Sequence, residues 1–311
     1  MVILLGLAAA VLYGCGDFIG GMASRRVPVL TVLMLAETAG SVVALGAAVL
    51  WSGPAGLADL GGLVWGFGAG MAGGFGLIMF YTGLATGPMS VVAPVSGLVS
   101  TILPVAVALA GGERPGAGVY AGAPVCLVAI VLASSAGGET RARQAERAGR
   151  AGRTAQTGRA VAYGVGAGSL FGLFFLLIRN AGESGTLWPV ASARVGELAS
   201  VVAVLVVLRP ALRRRAPGRR SLGRTSLGRS AGGPSGRLLV AAGGAGVIDV
   251  VANICYVTAA RTGMFGLAVV LASLYPGVTV LLARVVLGER LRWVQRAGLA
   301  LAAIGIVLVA S

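Results

Sequence analysis

The chain has no histidine and no lysine; all 25 of its basic residues are arginine. That removes imidazole bases and metal ligands, Schiff-base lysines and the lysine of phosphate loops. Acid is scarce too, with ten Asp and Glu in 311 residues. Charged residues make up 11% of the chain, against roughly 25% in a soluble domain. The three cysteines, Cys15, Cys126 and Cys255, each lie inside an apolar run without CxxC spacing. They read as small packing residues. No phosphate-binding glycine loop, zinc cluster or nucleophile elbow occurs; "GVGAGSLFG" lies in an apolar run and lacks the spacing. No cofactor and no metal are therefore expected.

What remains is apolar. Hydrophobic residues are 57% of the chain and the mean hydropathy is +0.91. Runs of about 20 residues, the length needed to cross a bilayer as a helix, fall at 2–23, 29–51, 61–85, 89–110, 116–136, 160–180, 187–208, 238–260, 264–287 and 293–310. A membrane β-barrel would alternate in segments of about ten residues, whereas 201–208, "VVAVLVVL", does not alternate. The expected class is an all-α polytopic membrane protein of ten transmembrane helices. The first run has no positive flank and no small-residue cleavage site, so it reads as a retained span.

Two stretches interrupt the pattern, 137–159 and 209–237, both rich in Arg and Gly and without apolar period. They divide the chain into a first five-helix unit at 1–136, a basic linker at 137–159, and a second five-helix unit at 160–311 that carries the basic loop 209–237. The units align with each other: Glu113-Arg114 with Glu289-Arg290, Ala121-Gly122 with Ala297-Gly298, and Ile130-Val131-Leu132 with Ile306-Val307-Leu308. With one residue of slippage Tyr81 meets Tyr256 and Met89 meets Met264, and at a nearby offset Glu37 meets Glu197. Five helices is an odd number, so the second copy enters the membrane in the opposite sense, the inverted repeat of many transporters.

The segment "SLYPGVTVLLARVVLGERLRWVQRAGLALAAIGIVLVA" (273–310) resembles the second half of an EamA repeat, the module of the drug/metabolite transporter superfamily. The resemblance rests on Pro276, then Gly288-Glu289-Arg290, then Gly298. In the first unit, "SGLVSTILPVAVALAGGERPG" carries Pro104 displaced from the position of Pro276. The resemblance implies ten helices around a central cavity, and transport by alternating access.

Arginine sets the expected orientation. The loops joining helices 1–2, 5–6, 7–8 and 9–10 hold 20 arginines, against three (Arg114, Arg179 and Arg261) on the other side. The positive-inside rule then puts those four loops in the cytoplasm and both termini outside the cytoplasmic (inner) membrane. Loop 209–237 has nine Arg and no aromatic residue on which bases would stack, so anionic lipid, and not nucleic acid, is its expected partner.

Polar residues inside apolar spans are costly, about 2.5–3.5 kcal/mol for a central charge, and mark cavities or partners. Asp17 lies deep in the first run, with Tyr13 one turn away on the same face. Glu37 stands in "TVLMLAETAGSVVAL" with no arginine within a turn, whereas its mate Glu197 has Arg194 three residues earlier. Asp249, Asn253 and Tyr256 share one helical stripe. It aligns with Gly74, Leu77 and Tyr81, where Gly62, Gly66, Gly70 and Gly74 recur at i+4 spacing and permit close packing. Pro94, Pro104 and Pro276, set among Ser and Thr, are candidate helix breaks, which point to substrate sites in transporters.

Together these residues predict a secondary transporter. It would move a small metabolite or drug, cationic or amino-acid-like, with proton coupling among the options. A flippase for a polar lipid or lipid carrier is the alternative, ahead of an intramembrane enzyme or a membrane scaffold.

Overall fold

A computed structural model describes residues 1–87, 89–112, 116–134, 150–181, 185–214, 236–262, 265–287 and 293–310. Every regular element among them is helical: α1 (Val2–Ser24), α2 (Val29–Ala47), α3 (Leu60–Thr86), α4 (Met89–Ala110), α5 (Ala117–Ser134), α6 (Arg150–Arg179), α7 (Leu187–Arg214), α8 (Gly236–Thr262), α9 (Phe265–Ala272), α10 (Tyr275–Leu287) and α11 (Trp293–Ala310). Seven helices among the described residues are long and apolar enough to cross a membrane.

The ends follow from local chemistry. After α1, Pro28 takes the N-cap position of α2, with φ −52° and ψ 133°. α2 widens into a π-helical turn at Ala48–Ser52 and stops at Gly53, whose φ of +63° favours glycine. α3 starts on Asp59, whose Oδ1 accepts from the Gly62 backbone N–H at 2.9 Å and so satisfies one of the helix's orphan donors.

Polarity is arranged for a bilayer. Leu4, Leu50, Val207 and Val240 stand on the outer surface, each more than 70% exposed, while Glu37, Arg194, Glu197 and Asn253 are buried. Lipid tails provide no hydrophobic drive between helices, so close packing through small residues takes that role. The glycine stripe of α3 lies on α7. A Cβ at Gly66 would come within 2.6 Å of the Pro189 carbonyl, and one at Gly74 within 2.8 Å of Glu197 Cα. In α8, Gly246 touches the backbone of Ala36 on α2 in the same manner.

Helix partners form a regular set. α3 packs on α6 and α7, and α8 packs on α1 and α2; α4 packs on α6, while α9 and α10 pack on α1. α2 also packs on α7, and α5 on α11.

Three features differ from the sequence pattern. Segment 264–287, expected as one span, is two helices parted at Ser273-Leu274. Pro276 falls in the first turn of α10, where the missing N–H costs nothing. Pro94 and Pro104, expected as breaks, lie within the continuous helix α4. α6 passes close to this point: a Cβ at Gly172 would meet the Ser100 carbonyl, which Pro104 leaves without its helical donor, at 3.2 Å. Third, α6 begins at Arg150, so the segment read as linker already enters the helix ten residues before the apolar run. Glu113-Arg114, Glu289-Arg290, Met264 and most of both basic stretches lie outside the described residues.

Candidate functional site

In the stretch "YGCGDFIGG" (13–21) α1 approaches its neighbours closely. A Cβ at Gly14 would lie 2.6 Å from Val278 Cβ on α10, and Gly16 faces the Ala245 carbonyl of α8 at 3.5 Å. Thr279 of α10 donates its hydroxyl across this contact to the Gly14 carbonyl at 3.2 Å. These approaches leave Tyr13 and Asp17 facing inward, onto a cavity between the helices.

One guanidinium organises the floor of that cavity. Arg194 of α7 is 1% exposed. Its Nη1 lies 3.2 Å from Glu37 Oε2 on α2. Its Nη2 lies 2.7 Å from Glu197 Oε2 on the same helix and 2.5 Å from Asp249 Oδ2 on α8. Read along the chain, Glu37 and Asp249 have no partner and Arg194 belongs to Glu197 alone. The fold corrects both readings, because α2, α7 and α8 meet at small residues. A Cβ on Gly40 would sit 3.4 Å from Arg194 Cδ, so the arginine stem crosses α2 where no side chain obstructs it.

The cluster extends into α1. Tyr13 donates its hydroxyl to Asn253 Oδ1 at 2.6 Å. Asn253 Nδ2 in turn donates to the Asp249 carbonyl at 3.1 Å, with the Asp249 carboxylate at 3.4 Å. Asparagine thus orients a tyrosine toward an ion-paired aspartate.

The members of the cluster are not equally accessible. Tyr13, Asp17, Arg194, Glu197, Asp249 and Asn253 line the cavity; Glu37 does not. Glu37 sits behind Arg194 and anchors it. The Asp249 side chain is 23% exposed, against 3% for Glu37 and Glu197. Of the three carboxylates on the guanidinium, Asp249 is therefore the one an incoming ligand meets. Asp17 adds a fourth carboxyl group on the α1 wall.

The remaining wall is aromatic. Phe171, Phe174 and Phe175 of α6 stand opposite Tyr13 and Tyr275, whose ring centroids are 6.4 Å apart in an edge-to-face arrangement. The phenylalanines were absent from the residues singled out by sequence, although a signal existed. Three of the chain's eight Phe fall at i, i+3 and i+4 in "SLFGLFFLLIR", one face of one helix. Gly73 and Leu77 of α3 complete the lining.

Other sequence candidates stand elsewhere. Tyr81 is buried with its hydroxyl against Gly20 of α1, outside the cavity lining. Tyr256 lies beyond Asn253, packed on Phe175 with ring centroids 4.6 Å apart. Pro276 packs on Gly97 of α4, where a Cβ would approach its Cγ to 2.7 Å. Pro94 and Pro104 do not line the cavity either.

A family model describing the EamA-like transporter family matches residues 150–311, more than half of the chain. The chain belongs to the EamA-like transporter family. It is thus a multi-pass membrane protein of the drug/metabolite transporter superfamily. A crystal structure of a protein with 18% sequence identity resembles it with a TM-score of 0.65, over 99% of this chain and 96% of that one. At that identity the likeness is one of fold. No curated protein matches it significantly.

Proposed function

We propose that this chain is a secondary transporter for a small cationic or amino-acid-like compound, operating by alternating access in the cytoplasmic membrane. The observation that carries the reading is charge imbalance. One guanidinium faces Glu37, Glu197 and Asp249, and Asp17 shares the cavity without adding a positive charge. Burying charge without compensation costs several kcal/mol per ion. A cationic group beside Asp249 and Asp17 offsets that cost, and so do bound protons. Substrate and protons would then exclude each other, which is the requirement for proton-coupled exchange.

The aromatic wall favours an organic cation over a bare metal ion. A cation over an aromatic face gains about 0.5–2 kcal/mol, more where water is excluded. Five rings line this cavity.

Packing supports an inverted repeat of two five-helix units, 1–136 and 160–311, joined by the basic linker 137–159. Exchanging the units turns the α3 contacts with α6 and α7 into the α8 contacts with α1 and α2, and the α4–α6 contact into those of α9 and α10 with α1. The α2–α7 and α5–α11 contacts map onto themselves. Such a repeat suits alternating access by rocking one unit on the other.

The test is ligand-dependent stability of the purified chain. Organic ammonium compounds should raise its melting temperature saturably, since ligand at 100 times Kd stabilises by about 2.7 kcal/mol. Neutral isosteres should not. Equal stabilisation by amines and by their uncharged isosteres would overturn the reading.

A further inference from the structure

The polar lining of the cavity is one-sided in its hydrogen bonding. Tyr13 gives its single hydroxyl hydrogen to Asn253 Oδ1 at 2.6 Å, so a ligand can meet that oxygen only as an acceptor. Asn253 in turn spends its amide hydrogens on Asp249, on the carbonyl at 3.1 Å and beside Oδ2 at 3.4 Å. The amide cannot be reversed, since its oxygen would then face two acceptors of Asp249.

Arg194 is the one cation of the lining among the described residues, yet none of it is offered to a ligand. Nη1 and Nη2 are held by Glu37, Glu197 and Asp249. Nε has no partner but is buried with the rest of the side chain. The Tyr275 hydroxyl is paired with Ser96 Oγ of α4 at 3.3 Å in a buried contact.

Acceptors, by contrast, are open. Both contacts of the Asp249 carboxylate, from Arg194 Nη2 and Asn253 Nδ2, fall on Oδ2 and leave Oδ1 to the cavity. Asp17 stands on the α1 wall, and the Tyr13 oxygen keeps a lone pair. Among the described residues the lining thus presents Asp249, Asp17 and Tyr13 as acceptors and no donor within reach of a ligand.

We infer that this cavity binds a primary amine with an aromatic or other apolar body and no carboxylate, and excludes the parent amino acid. The inference rests on the reading of the cavity as a cation site and narrows it. A protonated primary amine carries three N–H donors, one for each of Asp249, Asp17 and Tyr13. Phe171, Phe174 and Phe175 supply the surface for its apolar body. The carboxylate of an α-amino acid is held two bonds from the nitrogen. It would enter the same ring of carboxyl groups, where like charge is repelled and no N–H or O–H satisfies it.

The experiment uses the purified full chain in detergent at one fixed pH. Its melting temperature is followed against 2-phenylethylamine, phenylalaninol, phenylalanine and 2-phenylethanol. Both amines without a carboxylate should stabilise saturably, with an apparent affinity about 100-fold or more above that of phenylalanine. Phenylalanine binding as tightly as 2-phenylethylamine overturns the inference and leaves the cation reading in place. Stabilisation by 2-phenylethanol equal to that by the amine overturns the cation reading and the inference with it. So does the absence of a saturable shift with either amine. A second measurement separates the acceptor role of Tyr13 from a structural one. Tyr13→Phe keeps the ring beside Tyr275 and removes one acceptor. It should weaken 2-phenylethylamine about fivefold and its N,N,N-trimethyl analogue less than about twofold, because the quaternary nitrogen has no hydrogen to donate. Equal losses for the two ligands would overturn the acceptor assignment.

Discussion

Arg194 of α7 and Glu37 of α2, 157 residues apart in the chain, form a hydrogen-bonded ion pair of 3.2 Å in which neither side chain is more than 3% exposed. The pair converts an arginine that neighbours one acid in sequence into the hub of three. It also explains why an interior so short of charge retains a full guanidinium: each of its terminal nitrogens has a carboxylate on a different helix.

Removing the hub should therefore cost more than removing any spoke. Arg194→Leu leaves three carboxylates buried together, and breaking a buried ion pair from one side typically costs about 3–5 kcal/mol. Glu197→Gln leaves Arg194 with Glu37 and Asp249 and should fold. The melting temperatures of the two variants in detergent decide the matter. A melting temperature for Arg194→Leu equal to that of Glu197→Gln would refute the hub.

Glu37 and Asp249 should separate in function. Asp249 lines the cavity and is the more open carboxylate, whereas Glu37 stands behind Arg194. Asp249→Asn should weaken binding of an ammonium ligand about tenfold or more, the loss of a charge-assisted contact. Glu37→Gln keeps an acceptor for Arg194 and should change affinity less than threefold. Ligand-dependent melting curves measure both, and the reverse order would place the binding carboxylate on α2.

Helix contact through glycine makes a steric prediction. Gly70 of α3 and Gly246 of α8 each touch a backbone carbonyl of the facing helix, Ala193 and Ala36 respectively. Gly70→Val and Gly246→Val should each destabilise by about 1–3 kcal/mol or more, the range for overpacking. Gly244 has nothing within 4 Å of a built Cβ, so Gly244→Ala should be neutral. The yield of monodisperse protein and its melting temperature report the difference. Equal behaviour of the three variants would mean that α3 and α8 do not pack as described.

Orientation is testable without a substrate. The 20-to-3 partition of arginine predicts that a cysteine at Ser221 is cytoplasmic and one at Ser311 external. An impermeant thiol reagent on intact cells should label Ser311→Cys and spare Ser221→Cys. The opposite pattern inverts the topology.

Composition and periodicity determined the class of this protein by themselves. Apolar runs of bilayer length can satisfy their backbone only as helices, and so few charges leave no soluble alternative. The sequence also marked polar residues inside apolar spans, where charge is expensive enough to need a reason. Asp17, Asp249, Asn253 and Tyr13 all reach the cavity.

Pairing was a different matter. Sequence spacing reports neighbours three or four residues apart on one helix, so it supplied Arg194–Glu197 and nothing more. Glu37 and Asp249 meet the same guanidinium only because glycines at 40 and 246 let α2, α7 and α8 approach. Whether Pro94, Pro104 and Pro276 break a helix was likewise not legible in the sequence. α4 runs on through Pro94 and Pro104 where it packs on α6, whereas the chain parts just before Pro276. The helices and their costly residues are local consequences of the chain; the partners those residues find depend on which small side chains let two helices touch.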